Sequence, residues 1–389
     1  MELKKTSTPV WRNRKIVPIL FQLIFLLIVG TVIFFMIQNV MAGLKQIGLT
    51  LGLDYLSLRA SFPISESLIS YTPADPYFRA LIVGLLNTLK VSIFGIIFAS
   101  IIGVVVGIAR LSDNWLLSKV ATVYVEVFRN TPLLVQIFIW NFAVFLQMPK
   151  VQEAVSIGPF YFSNRGASVP WFHLQDNTFI WVVILIVLGI VGFIFYKKLS
   201  NYTIETGKKT FPLTYSIGLF LVGFVLTYFI LGNGPLQVSI PAFEGNSFVG
   251  GTSVSIGFLS VLVALTIYTS TFIAEIVRAG IIGVPKGQTE AAKALGFKSS
   301  ISLRLIIFPQ AIRIIIPPLT SQYLNLIKNS SLAMAVAYQD IVGIGNTIIN
   351  QTGHTIETLI IVIGVYLLFS LVTSLVMNLF NKKFQLVER

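Results

Sequence analysis

Gly287-Gln288-Thr289-Glu290-Ala291-Ala292-Lys293-Ala294-Leu295-Gly296 lies between two long apolar runs. It reads as a short, charged, alanine-rich helix, closed by a glycine that can take the left-handed conformation. Nine residues then separate Gly296 from Ile306-Ile307-Phe308-Pro309. Small side chains at Ala291 and Ala292 let a partner's backbone approach closely, while Glu290 and Lys293 offer polar contacts at the rim. The flanking apolar runs make this a loop between membrane passages.

Composition sets the frame around that loop. Of 389 residues 55% are hydrophobic and only 11% charged, with a mean hydropathy of +0.84. Soluble domains carry about 25% charged residues, so the chain is an integral membrane protein. The net charge of +13 does not point to nucleic acid, because the basic residues are distributed by membrane side. Cysteine is absent, which excludes disulfides, thiol chemistry and cysteine-ligated metal. His173 and His354, far apart and each in a polar connector, read as solvated loop residues rather than metal ligands.

Crossing about 30 Å of hydrocarbon takes roughly 17–25 apolar residues. The candidates are 16–38, 82–109, 122–147, 179–196, 212–231, 258–281, 305–336 and 357–380, which predicts an all-α polytopic protein of about eight transmembrane helices. The first is preceded by Lys4, Lys5, Arg12, Arg14 and Lys15. Its apolar core is too long for a signal peptide and no small-residue cleavage site follows. With a cytoplasmic N-terminus, twenty of the 28 basic residues fall in inner segments and five in outer ones. The positive-inside rule therefore predicts that both termini and the 285–309 loop face the cytoplasm. The outer connectors 39–81, 148–178 and 232–257 are rich in Gly, Pro, Ser, Asn and aromatic residues, and read as ordered loops or short interfacial helices. Trp171 and Trp181 suit either interface anchoring or ordinary packing.

Further blocks surround the loop. Tyr124-Val-Glu-Val-Phe-Arg-Asn-Thr-Pro-Leu-Leu-Val-Gln136, Ile273-Ala-Glu-Ile-Val-Arg-Ala-Gly280, Phe308-Pro-Gln-Ala-Ile-Arg313 with Pro317-Pro318, and Leu326-Ile-Lys-Asn-Ser-Ser-Leu332 follow one another, with Asn87-Thr88-Leu89 opening the series. With the Glu-Ala-Ala loop they resemble the permeases of ABC importers in the histidine/glutamine/glutamate/arginine/opine family. The resemblance covers a five-helix type-I importer core, 82–147 and 258–381, with the coupling loop at 285–309. Phe308 stands where the family usually has Leu. The remainder, namely 1–40 with an extra helix, the outer loop 41–81, the two-helix insertion 148–257 and the tail 382–389, is similar to the long general or acidic L-amino-acid permeases. The resemblance implies a bacterial inner-membrane location. It implies a coupling role for Gly287, Glu290, Ala291, Ala292, Gly296 and Pro309 against two ATPase subunits. It further implies a second permease (related or identical), an external binding protein, and ATP bound only by the partner. This chain lacks a phosphate-binding loop: Gly207-Lys208-Lys209-Thr210 is the nearest approach, and it lacks the required upstream glycine. No catalytic residue is expected, nor any cofactor or metal in this chain.

Charged groups inside the spans carry the remaining chemistry, since each costs about 2.5–3.5 kcal/mol at mid-membrane. Glu126 with Arg129, and Glu275 with Arg278, are i,i+3 pairs expected toward the cytoplasmic ends of their helices, where an inner-gate or bracing role competes with substrate contact. Lys328, beside Asn329, Ser330 and Ser331, either meets a substrate carboxylate or snorkels. Gln136, Tyr268, Thr269, Gln322 and Asn325 either line a path for a zwitterionic amino acid or bridge helices. Pro132, Pro309, Pro317 and Pro318 interrupt helical hydrogen bonding, and Gly103 with Gly107 permits close helix packing. Two rival functions remain open at this point. An ion-coupled secondary amino-acid transporter is disfavoured by the lack of a midplane carboxylate in the central spans. A structural membrane protein would not transport at all.

Overall fold

The computed structural model describes residues 16–46, 52–208, 210–232, 234, 236–245 and 247–384. The N-terminal basic cluster, Lys209 and most of the 382–389 tail lie outside the described residues, as does the side chain of His173. Seven helices among the described residues are long and apolar enough to cross a membrane. The first, α1 (Ile16–Gln46), is apolar on all sides and none of its apolar window is buried against the rest of the chain.

The core is built on α2 (Tyr77–Ala109) and α7 (Ile256–Ile282), which run parallel in close contact. Gly103 and Gly107 make this possible. A Cβ at Gly103 would lie 2.6 Å from the Ile273 side chain, and one at Gly107 would lie 2.7 Å from the Ala274 carbonyl oxygen.

The third expected passage, 122–147, is not one helix. α3 (Trp115–Asn130) stops, Thr131 is extended, and α4 (Leu133–Phe138) begins after Pro132 and continues as a π-helical turn to Phe145. Pro132 has no N–H to donate and disfavours the helical region for Thr131. Gln136 repairs the break: its Nε2 donates to the carbonyls of Phe128 (2.8 Å) and Thr131 (3.0 Å).

The fold is helical as expected, and the insertion adds short strands in both of its outer connectors. A four-stranded antiparallel sheet joins β1 (Val155–Ile157), β2 (Phe160–Ser163) and β3 (Gly166–Val169) to β8 (Thr252–Val254). β4 (Trp171–Leu174) pairs with β5 (Leu236–Ser239), and β6 (Ala242–Glu244) with β7 (Ser247–Val249). Pairing of β3 with β8 closes the insertion at its neck and returns the chain to Ser255, the N-cap of α7. Between the strands, α5 (Thr178–Thr206) packs against α6 (Pro212–Leu231), with Trp181 fully buried and its ring 5.2 Å from Phe224. Trp181 is thus a packing residue. Gly207, in the stretch nearest to a phosphate loop, ends α5 in the left-handed conformation.

After α7 come α8 (Lys286–Ala294), α9 (Ser299–Ser302), a π-helical turn Leu303–Ile307 and α10 (Phe308–Asn329). A 3₁₀ segment Ser330–Val336 leads to α11 (Ile341–Thr352) and then α12 (Thr355–Phe384). The bundle thus has an α8 end and a far end. The far end is capped by the connector 52–76, whose Tyr55 and Phe62 pack with Tyr77, Ile341 and Ile344. His354 belongs to this cap and is not a solvated loop residue: its ring stacks on Tyr55 at 4.4 Å and its Nδ1 lies 3.1 Å from Glu357.

Candidate functional site: a polar path and its loop helix

α8 forms between Pro285 and a Schellman turn. Gly296 (φ +75) donates its N–H to the Lys293 carbonyl, and Phe297 donates to that of Ala292, the two bonds that define the motif. No other group lies within 4 Å of where a Gly296 Cβ would stand, so this glycine is required by backbone conformation rather than space. Ala292 is buried against the bundle, while Gly287, Glu290, Ala291 and Lys293 are exposed. Pro309 follows the π-helical turn directly, within a continuous helical run from Ser299 to Asn329, where its missing N–H interrupts the backbone ladder. The Gln310 side chain donates to Gln288 across 3.4 Å, tying α10 to α8.

The two Glu-x-x-Arg pairs diverge. Glu275 and Arg278 form an ion pair, and Arg110 at the end of α2 binds the same carboxylate. Three charges therefore lock α2 to α7 near the α8 end. Glu126 and Arg129 form no such pair: Asn130 donates to a Glu126 carboxylate oxygen at 3.2 Å, and the Arg129 guanidinium lies over the Phe272 ring at 5.4 Å. Phe272 is one turn before Glu275 on α7. Arg129 lies immediately before the break at Thr131. Both Glu126 and Arg129 are exposed.

The six expected path residues separate into three groups. Gln136 and Thr269 are enclosed, the first as the staple of the α3–α4 break. Tyr268 and Gln322 are half-buried, and the Tyr268 ring lies 5.0 Å from Phe272. Asn325 and Lys328 are exposed and share one face of α10 with Ser321, at helical spacing. Lys328 has no ion pair among the described residues. α10 is held to α2 by Tyr323 and Ser100 (2.7 Å), and α3 to α7 by Tyr124 and Ser270 (2.7 Å).

Three further features escaped the sequence reading. Glu66, in the connector, pairs with Lys90 of α2 and accepts from the Ser255 hydroxyl at 2.8 Å, while Lys90 also lies 4.4 Å above the Phe258 ring. Arg110 is the unanticipated third member of the Glu275 cluster. Asp340 caps α11 by accepting from the Gly343 N–H at 2.8 Å, and burial pushes its carboxyl up to about 7. The Glu66 and Arg110 contacts join groups far apart in sequence, so no local spacing announced them. Asp340 alone carried a signal, as an N-cap residue type before an apolar run.

The family profile described as "Binding-protein-dependent transport system inner membrane component" matches residues 211–386. The putative amino-acid ABC transporter permease protein YhdX of Escherichia coli is 44% identical over 95% of this chain and 94% of its own length. The general L-amino acid transport system permease protein AapQ of Rhizobium johnstonii is 44% identical over 95% and 93%. The glutamate/glutamine/aspartate/asparagine transport system permease protein BztB of Rhodobacter capsulatus is 36% identical over 95% and 93%.

Proposed function

This chain belongs to the inner-membrane permeases of binding-protein-dependent amino-acid ABC transporters, and from that premise we propose how its own residues do the work. It forms the path by which L-amino acids, polar or general in range, enter the cytoplasm. A separate ATPase, present in two copies, docks on the exposed face of α8. A related second permease, or a second copy of this chain, completes the path. An external binding protein delivers substrate to the far end. Both termini lie in the cytoplasm, as the twenty-to-five split of basic residues supports.

The observation that carries this reading is a set of charged side chains left exposed on helices that pack beside the core pair. Glu126 and Arg129 on α3 and Lys328 on α10 are exposed in the single chain. Facing lipid, each costs about 2.5–3.5 kcal/mol. Facing a wet cavity shared with a second permease, they become recognition groups. A zwitterion then finds a guanidinium or ammonium for its carboxylate and Glu126 for its ammonium. Arg129 is the best placed, because the broken α3–α4 helix presents it and Phe272 holds its guanidinium by a cation–π contact. ATP binding in the partner draws the α8 helices together, the path opens outward, and hydrolysis lets it release inward.

Uptake of labelled glutamate and leucine by membrane vesicles carrying Arg129→Gln and Arg129→Lys tests the site. Arg129→Gln should transport at least about tenfold more slowly, since a charge-assisted hydrogen bond contributes about 1.5–3 kcal/mol, while Arg129→Lys retains part of the activity. Normal uptake by Arg129→Gln would remove Arg129 from the path. Co-purification from native membranes in mild detergent tests the partners, and a chain that elutes alone would count against the coupling role of α8.

A further inference from the structure

α5 and α6 pack chiefly on each other, and little of their apolar surface is covered by the rest of the chain, so lipid borders both. Between them runs a groove of about 420 Å³, within the size range of small-molecule sites, about 300–1,000 Å³. Gly189, Gly192, Phe193 and Tyr196 line it from α5, and Leu213 and Ile217 from α6. Gly189 keeps it open, since nothing lies within 4 Å of where its Cβ would stand. The Ser216 hydroxyl in this wall is spent on the Pro212 carbonyl at 2.8 Å, which leaves the groove a largely apolar surface.

The groove ends at a cation. A Cβ on Gly192 would lie 3.8 Å from the Ser216 carbonyl oxygen, which sets these two residues opposite each other. The helices are joined by a short loop and run antiparallel. One turn on from Gly192 and one turn back from Ser216 therefore bring Tyr196 level with Pro212, the first residue of α6. Lys197 stands beside that start, and it lies one turn after Phe193 on the groove side of α5. From Thr178 to Lys197 α5 rises about 28 Å, and α6 spans about 30 Å, each close to the hydrocarbon thickness of about 30 Å. Lys197 is thus exposed at headgroup depth. It makes no ion pair among the described residues. Lysines outnumber carboxylates four to one from 197 to 211, so no anion of the chain is in surplus there.

We propose that this groove holds an anionic phospholipid, drawn from the leaflet on the side of the α5–α6 loop. One acyl chain lies along the apolar wall in the space that Gly189 and Gly192 leave, and the phosphate meets the Lys197 ammonium beside the start of α6. An unpaired lysine at headgroup depth attracts anionic lipid in preference to zwitterionic lipid, and the groove below it turns that attraction into a site. The insertion thereby gains a lipid that fills the seam between its two helices. The inference needs α5 and α6 to cross the membrane and needs nothing of the transport path, so it stands or falls apart from the reading of Arg129.

The test uses the purified full-length permease, stripped of lipid and titrated with phosphatidylglycerol or with phosphatidylcholine. Native mass spectrometry counts the first lipid bound. Phosphatidylglycerol should bind at least about fivefold more tightly than phosphatidylcholine. Lys197→Gln should remove that preference. Lys198→Gln deletes the same charge one residue further on, off the groove side of α5, and should keep it. Gly189→Leu fills the groove where no other group stands, and should weaken both lipids at least about fivefold by displacing part of the acyl chain. Both lysines are exposed, so their comparison decides the charge recognition even where Gly189→Leu folds poorly. Equal binding of the two lipids by the parent overturns the proposal. So does an equal loss in the two lysine variants, which would reveal general attraction to a basic surface, or unchanged binding by a folded Gly189→Leu.

Discussion

Glu275→Gln should destabilise the permease more than the loss of either arginine that binds it. The Glu275 carboxylate is the shared acceptor of Arg110 and Arg278. Arg278 reaches it through Nε at 3.1 and 3.2 Å and through a further terminal nitrogen, and Arg110 binds through one terminal nitrogen. Neutralising Glu275 leaves two guanidiniums side by side with no counter-charge at the end of the α2–α7 pair. Breaking a buried pair costs about 3–5 kcal/mol. Here the side chains are 13–32% exposed, so about 2–3 kcal/mol is the working figure after screening. Arg110→Gln removes one charge-assisted bond and leaves Arg278 in place, for a loss nearer 1 kcal/mol. Thermal unfolding of the purified permease in detergent, followed by fluorescence-detected gel filtration, gives the order directly. The midpoint should fall furthest for Glu275→Gln and less for Arg110→Gln and Arg278→Gln. If Arg110→Gln falls as far as Glu275→Gln, the carboxylate is not the centre of the cluster and α2 is held by Arg110 in some other way.

Three other perturbations have expected outcomes. Gly107→Ala should cost about 1–3 kcal/mol, outweighing the gain in helix propensity of about 1 kcal/mol, because the new methyl meets a carbonyl oxygen and the branched Val277 Cβ at 2.7 and 2.9 Å; Gly30→Ala, inside α1 with nothing within 4 Å, is the control without a clash and should match or exceed the parent in the same thermal assay. Glu290→Lys and Gly296→Asp should abolish uptake while the chain still inserts into the membrane, and ATPase capture by the mutant permease should fail in pull-down. Asp340 lies between the last two long spans, and its folded carboxyl titrates near 7, above the ordinary 3.8. The folded state therefore binds the extra proton, so Asp340's contribution is fully present below pH 3.8 and is lost as pH rises through about 7. The thermal midpoint of Asp340→Asn should accordingly vary less than the parent's between pH 5 and 7.5.

Much of the fold was readable from apolar length alone, because the cost of exposing backbone to lipid forces helices wherever the chain crosses. The Gly103–Gly107 approach was readable too, since only residues without a side chain let two helices come so near. The α3–α4 break was not, although Pro132 stood in plain view. Hydropathy averaged over 122–147 reports that the segment is apolar, and proline within an apolar passage is compatible with a kink as well as a stop. Gln136 decides between these by bonding to two freed carbonyls, a contact that depends on the break having formed. The strands of the insertion were hidden for a related reason. Each is only three or four residues long, too short for alternation to register, and the pairing that stabilises them brings 166–169 to 252–254 across two intervening helices.

The two Glu-x-x-Arg sequences show where local pattern stops being informative. Spacing placed each pair on one helix face and made both seem alike. An i,i+3 pair on a helix contributes only about 0.2–0.5 kcal/mol, less than almost any tertiary neighbour can offer. Glu275 has such a neighbour in Arg110, delivered by a parallel helix that two glycines hold close, and the cluster forms. Glu126 has Asn130 at the end of a helix that is about to break, and Arg129 has the face of Phe272. A cation–π contact orients a guanidinium without neutralising it, so Arg129 keeps its full charge for another anion. The same Glu-x-x-Arg spacing is therefore a brace on the continuous helix α7 and a pair of unneutralised charges on the interrupted helix α3, and Pro132 is what separates the two outcomes.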